Sequence, residues 1–126
     1  MDRMLLVIAD DDSDAAEALA EMLRLCIAEP LGIVLACDGK EALAAATGLP
    51  APDAVIMDIE MPRMNGFDAA VAIRHALGSV TPTLIAASGD VGWAGLAAAS
   101  SAFDHALLKP IEVDELLGLL EPLRSK

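Results

Sequence analysis

Five short apolar runs alternate with five longer stretches of helical spacing, and this alternation leaves the chain few ways to fold. The runs lie at 4–9, 33–37, 54–57, 83–87 and 106–108, none longer than six residues. None alternates apolar with polar, so each reads as a strand covered on both faces, as in a parallel sheet. Between them, residues 14–28 place Ala18, Leu19, Met22, Leu23 and Cys26 on one helical stripe. Ser13 or Asp14 can cap that helix, with Glu17 set for a capping box. Residues 39–47 and 66–77 are helices that stop at Gly48 and Gly78, the first with Pro50 and Pro52 close behind. Residues 91–101 make the weakest helix, because Gly92 and Gly95 each cost about 1 kcal/mol relative to Ala. The last helix, 112–124, carries acids in its first turn, where the helix dipole favours them. Strand-then-helix repeated five times predicts an open, doubly wound α/β sandwich.

The 126 residues fit one domain, 1–126, with no linker or internal repeat, and the last helix leaves no room for a second. A hydrophobic fraction of 56% is far too high for a disordered acidic segment. The net charge of -12 repels a phosphate backbone, and Phe67, Trp93 and Phe103 are the only aromatics for base stacking. Nucleic acid is therefore excluded as a partner, while cations and basic proteins are attracted. Cys26 and Cys37 have no metal-binding spacing and read as small buried hydrophobes in a reducing cytosol. The run at 4–9 is too short for a signal peptide or a membrane span, so a cytoplasmic protein with no membrane partner is expected.

The chemistry gathers at strand ends. "VIADDDSD" sets Asp10, Asp11 and Asp12 side by side with Asp14 just beyond, and no Lys or Arg lies between Met4 and Arg24. Two like charges about 4 Å apart repel by about 4 kcal/mol at an effective dielectric near 20, so a counter-charge must come from elsewhere. In doubly wound sheets ligands bind beyond the carboxyl ends of the strands. Those ends carry the Asp cluster, Asp58, Ser88 and Lys109, the last followed by Pro110. Such a set of hard oxygens suits Mg²⁺, and the Lys109 ammonium can neutralise Asp58 or a phosphoryl group on it. Plainer roles fit other residues. Asp12 and Asp14 read as caps, Asp53 as a strand-start residue, His75 as an exposed cation at a helix end and His105 as a surface turn residue. Trp93 reads equally as core or as a half-exposed anchor for a partner.

The segments "LVIADDDSD", "DGKEAL", "PDAVIMDIEMPRMNG", "PTLIAASG" and "LLKPI" together resemble the receiver domain of bacterial two-component response regulators. The resemblance spans essentially the whole chain, with 30 residues from Asp58 to Ser88 and 51 from Asp58 to Lys109. It implies a flavodoxin-like three-layer sandwich with strand order 2-1-3-4-5. It also implies that Asp58 accepts a phosphoryl group from a sensor histidine kinase or a histidine phosphotransfer protein. Asp11 would bind Mg²⁺ directly and Asp10 through water, joined by Asp58 and the backbone carbonyl of Glu60. Ser88 and Lys109 would each hold a phosphoryl oxygen, and the Lys109–Pro110 bond would be cis. Such a module is not an enzyme beyond its own phosphorylation and dephosphorylation. It would signal to an output protein through the fourth helix, fifth strand and fifth helix, or pass phosphate onward in a relay.

Departures from the family pattern are specific. Ala106 stands where an aromatic switch residue is usual, with His105 or Phe103 as candidate substitutes. Gly89 follows Ser88 where Ala is common, and Glu60 and Asp90 place acids beside the site. Competing expectations are a pseudo-receiver that is never phosphorylated, a receiver segment of a hybrid histidine kinase, and a Mg²⁺-dependent phosphohydrolase using Glu60 as a second carboxylate.

Overall fold

The structure, a computed structural model, describes residues 4–28 and 30–124. Strands β1 (Met4–Ala9), β2 (Leu31–Ala36), β3 (Ala54–Asp58), β4 (Thr83–Ser88) and β5 (His105–Leu108) alternate with helices α1 (Ser13–Cys26), α2 (Gly39–Ala46), α3 (Gly66–Leu77), α4 (Val91–Ala99) and α5 (Val113–Leu120). The strands form one parallel sheet in the order β2-β1-β3-β4-β5, as the resemblance implied. Successive strand residues point to opposite faces, which splits the core in two. Leu6, Ile8, Ile56 and Ile85 pack beneath α1 and α5, while Val7, Val55, Met57 and Leu84 pack beneath α2, α3 and α4. All the carboxyl ends of the strands therefore open onto one edge.

Several local expectations are corrected. β2 is an edge strand that leaves the consecutive residues Val34 and Leu35 exposed, one on each side of the sheet, so neither of its faces is fully covered. The buried stripe of α1 is Ala16, Ala20 and Leu23, while Ala18, Met22 and Cys26 face outward. An Ala-rich helix offers overlapping stripes, and the small side chains face the sheet. The α1 cap is Asp12, whose carboxylate accepts the Asp14 and Ala15 N–H groups, rather than Ser13 or Asp14. Cys26 and Cys37 are both exposed, because one ends α1 on its outer face and the other lies just past the end of β2. His105 is exposed but forms the first residue of β5, paired with Ile85, instead of a turn. Asp53 stands immediately before β3: it accepts the Leu5 N–H on its carboxylate and donates its own N–H to the Leu5 carbonyl. The Lys109–Pro110 bond is cis, and so is Leu49–Pro50, which was not anticipated.

Candidate functional site

β1 delivers Asp10 to the open edge, where its N–H donates to the Ala36 carbonyl at 2.9 Å. The side chain is nearly buried. One carboxylate oxygen accepts the Asp12 N–H at 2.9 Å and the other accepts Lys109 Nζ at 3.0 Å. β3 ends in Asp58, whose carboxylate lies 3.5 Å from the same ammonium. Among the described residues Lys109 is the one donor within reach of that carboxylate. Lys109 is itself held in place by its N–H, which donates to the Ser88 carbonyl at 2.8 Å. Carboxylate oxygens of Asp10, Asp11 and Asp58 lie within 4.8 Å of one another. Asp11 is exposed, so the cluster faces outward on one side.

The electrostatics follow from this placement. Burial pushes the Asp58 carboxyl above its usual range, with Lys109 opposing and Asp10 and Asp11 adding to the rise. Burial alone would lower Lys109. Its hydrogen bonds and charge interactions with Asp10 and Asp58 outweigh that and hold it above its usual value. Three carboxylates against one ammonium leave two uncompensated negative charges, the deficit a divalent cation offsets.

The remaining predicted residues are placed as follows. Ser88 ends β4 and is fully buried; its hydroxyl accepts the Asp90 N–H at 3.0 Å and makes a long contact, 3.4 Å, with the Asp90 carbonyl. Glu60 is exposed in the loop after β3, and its carboxylate is not part of the cluster. Ala106 pairs with Ala86 inside the sheet, and Phe103 is buried edge-on to Phe67 at 5.4 Å.

A second acidic group was missed. Asp38, only 3% exposed, accepts the Glu41 N–H at 2.8 Å and Arg63 Nε at 2.6 Å. Glu41 in turn accepts the Cys37 N–H at 2.9 Å and the Cys37 thiol at 3.1 Å, which pushes that thiol up. Arg63 sits at φ 65°, a backbone conformation rare outside glycine, in the loop joining β3 to α3. The Gly39 N–H donates to the Met64 carbonyl at 3.0 Å, and a Cβ at Gly39 would overlap that carbonyl. The pair thus ties the loop after Asp58 to the start of α2. The Asp-Gly step before a helix signals the cap in "DGKEAL", but nothing local pairs it with Arg63.

Comparison with known proteins shows the family of the chain. The family model of the response regulator receiver domain matches residues 6–121. The transcriptional regulatory protein PrrA of Mycobacterium tuberculosis is 35% identical over 120 residues, covering 94% of this chain and 48% of that protein. The DNA-binding response regulator MtrA of Mycobacterium leprae is 33% identical over 116 residues, covering 92% of this chain and 49% of that protein. The chain therefore spans about half the length of the curated relatives it matches. Among solved structures, the response regulator TrrA of Thermotoga maritima, in complex with Mg²⁺ and a beryllium fluoride, superposes with a TM-score of 0.80 at 28% identity. The match covers 95% of this chain and 98% of that one.

Proposed function

The chain belongs to the response regulator receiver domain family, a signalling module, and we propose that it accepts a phosphoryl group on Asp58 from a phosphohistidine donor. The observation that carries this reading is the Lys109 ammonium, 3.0 Å from Asp10 and 3.5 Å from Asp58, beside a carboxylate with no other donor among the described residues. The donor is a sensor histidine kinase or a histidine phosphotransfer protein. An Asp58 oxygen attacks phosphorus, an O–P bond forms, and the N–P bond breaks with its electron pair left on the imidazole nitrogen. The loose transition state spreads negative charge over three phosphoryl oxygens, so catalysis is positioning and charge neutralisation. Lys109 is already placed to meet one oxygen. The Ser88 hydroxyl, only weakly engaged with the Asp90 carbonyl, is free to turn its proton to another.

The donor set fits a hard divalent cation: three carboxylates share one small volume and no soft ligand is among them. Asp10, Asp11 and Asp58 would hold Mg²⁺, with the Glu60 backbone carbonyl. When bound, it supplies the positive charge that an incoming phosphoryl group requires. Glu60 and Asp90 lie two residues past Asp58 and Ser88 in the sequence, where their charge adds repulsion to an incoming anion.

Output runs through protein contact, with the α4–β5–α5 face as the receiving surface, in the cytoplasm. PrrA is described as a transcriptional regulatory protein and MtrA as DNA-binding, and both are about twice as long as the stretch matched here. With a net charge of -12, these residues meet proteins rather than DNA. Among the described residues no helix is long and apolar enough to cross a membrane.

The test is intact-mass measurement after incubation with Mg²⁺ and acetyl phosphate. A phosphoryl adduct that disappears in Asp58→Asn is expected. An unmodified wild-type chain would favour a pseudo-receiver, and steady turnover of unrelated phosphomonoesters would favour a hydrolase; either result overturns the reading.

A further inference from the structure

The two edges of the sheet are built differently. β5, at one edge, has four residues, starts at the exposed His105 and is followed at once by Lys109 and Pro110. β2, at the other, has six residues and contains no charge and no proline. Short length, charged side chains and prolines are what keep an edge strand from pairing with another chain, and β2 has none of them. Val34 and Leu35 are each 42% exposed there. The Pro30 and Ala36 carbonyls accept the Met4 and Asp10 N–H groups, so the even-numbered residues are the ones bonded to β1. Backbone bonding alternates along a strand, which turns the N–H and C=O groups of Leu31, Ile33 and Leu35 outward. Among the described residues no strand pairs with that side.

β2 is the complement of itself in reverse. Laid antiparallel about a two-fold axis at Ile33, it exchanges backbone bonds between Ile33 and Ile33 and between Leu31 and Leu35. Those side chains share the α1 face of the sheet. On the other face Val34 then stands opposite Gly32 of the second copy. Such pairs bring Cα atoms to about 4.5 Å, and a glycine leaves room for the valine. Charge on the flank agrees. Glu17, Glu21, Arg24 and Leu35 line a shallow groove of about 570 Å³ between α1 and the edge. Glu17 and Arg24 are two turns apart on one side of α1, about 10 Å along its axis. α1 joins two parallel strands and so runs back against β2; the two-fold axis turns one α1 end for end beside the other and sets each Arg24 against Glu17 of the second copy. We propose that two copies of this chain pair edge to edge through β2, continuing the sheet across a two-fold axis at Ile33. A foreign strand has no reason to match Val34 with Gly32 and Arg24 with Glu17, whereas a second copy matches both. β2 and β5 are opposite edges, so this contact leaves the α4–β5–α5 face uncovered.

Sedimentation equilibrium of the full chain is the test, with reductant present because Cys37 is exposed just past β2. A monomer–dimer equilibrium is expected, tightening as salt rises because each copy carries a net charge of -12. Leu35→Lys should weaken the dimer at least about tenfold by setting a charge in the apolar pair with Leu31. Ile33→Pro should do the same by removing an outward N–H that β1 does not use. Arg24→Glu should weaken it about threefold, and adding Glu17→Arg to that variant should restore it. Leu96→Lys, at an exposed apolar residue of α4, should leave it unchanged. Amide exchange at Ile33 and Leu35 should slow as protein concentration rises. A chain still monomeric at about 1 mM, a dimer broken by Leu96→Lys but not by Leu35→Lys, or a double charge reversal no tighter than Arg24→Glu alone would each overturn the proposal.

Discussion

Two acidic corners stand at the open edge of this sheet, built from nearly the same parts. One holds Asp10, Asp11 and Asp58 against Lys109; the other holds Cys37, Asp38 and Glu41 against Arg63. In each, three ligand-type atoms lie within 4.8 Å of one another. Their hydrogen bonds separate them. Around Asp38 every acceptor is committed: its two oxygens take the Glu41 N–H and Arg63, and Glu41 takes the N–H and thiol of Cys37. In the other corner Asp10 is likewise engaged, by the Asp12 N–H and Lys109, but the Asp58 carboxylate is left open, with a single ammonium at 3.5 Å and a carboxyl raised by burial. Glu41 and Arg63 hold the Asp38 carboxyl below its usual range, the opposite direction. A satisfied cluster fixes structure, and an unsatisfied one is poised to receive a charged group.

The largest expected effect lies in the closed corner. Gly39→Ala puts a methyl group onto the Met64 carbonyl in a buried position, and should destabilise the fold by about 3 kcal/mol. Gly89→Ala, beside Ser88 in the open corner, meets nothing within 4 Å and should change stability by no more than about 0.5 kcal/mol. Urea denaturation midpoints measure both. Equal losses at the two glycines would erase the distinction between the corners.

The next effect concerns cations. Lys109→Gln removes the ammonium shared by Asp10 and Asp58, so Mg²⁺ affinity by calorimetry should rise at least about tenfold even as phosphorylation falls. Asp11→Asn should weaken Mg²⁺ binding. Arg63→Gln and Glu41→Gln should leave it unchanged, since the closed corner has no free acceptor to offer. Loss of Mg²⁺ binding in Glu41→Gln would show that the ion sits at the wrong corner.

The same contrast explains how much could be read in advance. Strand ends are local features: an apolar run that stops at Asp10, Asp58, Ser88 or Lys109 announces itself, and the parallel order brings those ends together. The Asp38–Arg63 pair joins residues 25 apart through a loop held at an unusual φ, and no periodicity encodes that. The outward faces of Cys26 and Met22 escaped for a related reason. An α1 rich in Ala carries overlapping apolar stripes, and only the sheet decides between them. The exposed edge of β2 escaped because an apolar run looks the same whether one flank or both are covered. Trp93, which reads equally as core or as half-exposed, is half-exposed on a stack with Phe67.

The smallest effect is the sharpest, because its sign differs between the corners. Asp38 is held below the ordinary carboxylate range, so its contribution to stability is present above the unfolded-state pKa, near 4, and is lost as pH falls through the depressed value. Asp58 is raised, so its ionisation opposes folding. Stability is whole below about pH 4 and declines as pH rises through the raised value. In metal-free buffer Asp38→Asn should therefore be less stable than wild type at neutral pH, with the deficit shrinking as the solution is acidified below about pH 4. Asp58→Asn should be more stable than wild type at neutral pH, with the advantage vanishing towards about pH 4. Adding Mg²⁺ should narrow the Asp58→Asn advantage, by stabilising the wild-type carboxylate, and leave the Asp38→Asn deficit as it was. Denaturant midpoints across that range decide the matter: two difference curves of the same sign would mean that both corners are structural clamps, and that Asp58 has no unmet charge to offer a phosphoryl donor.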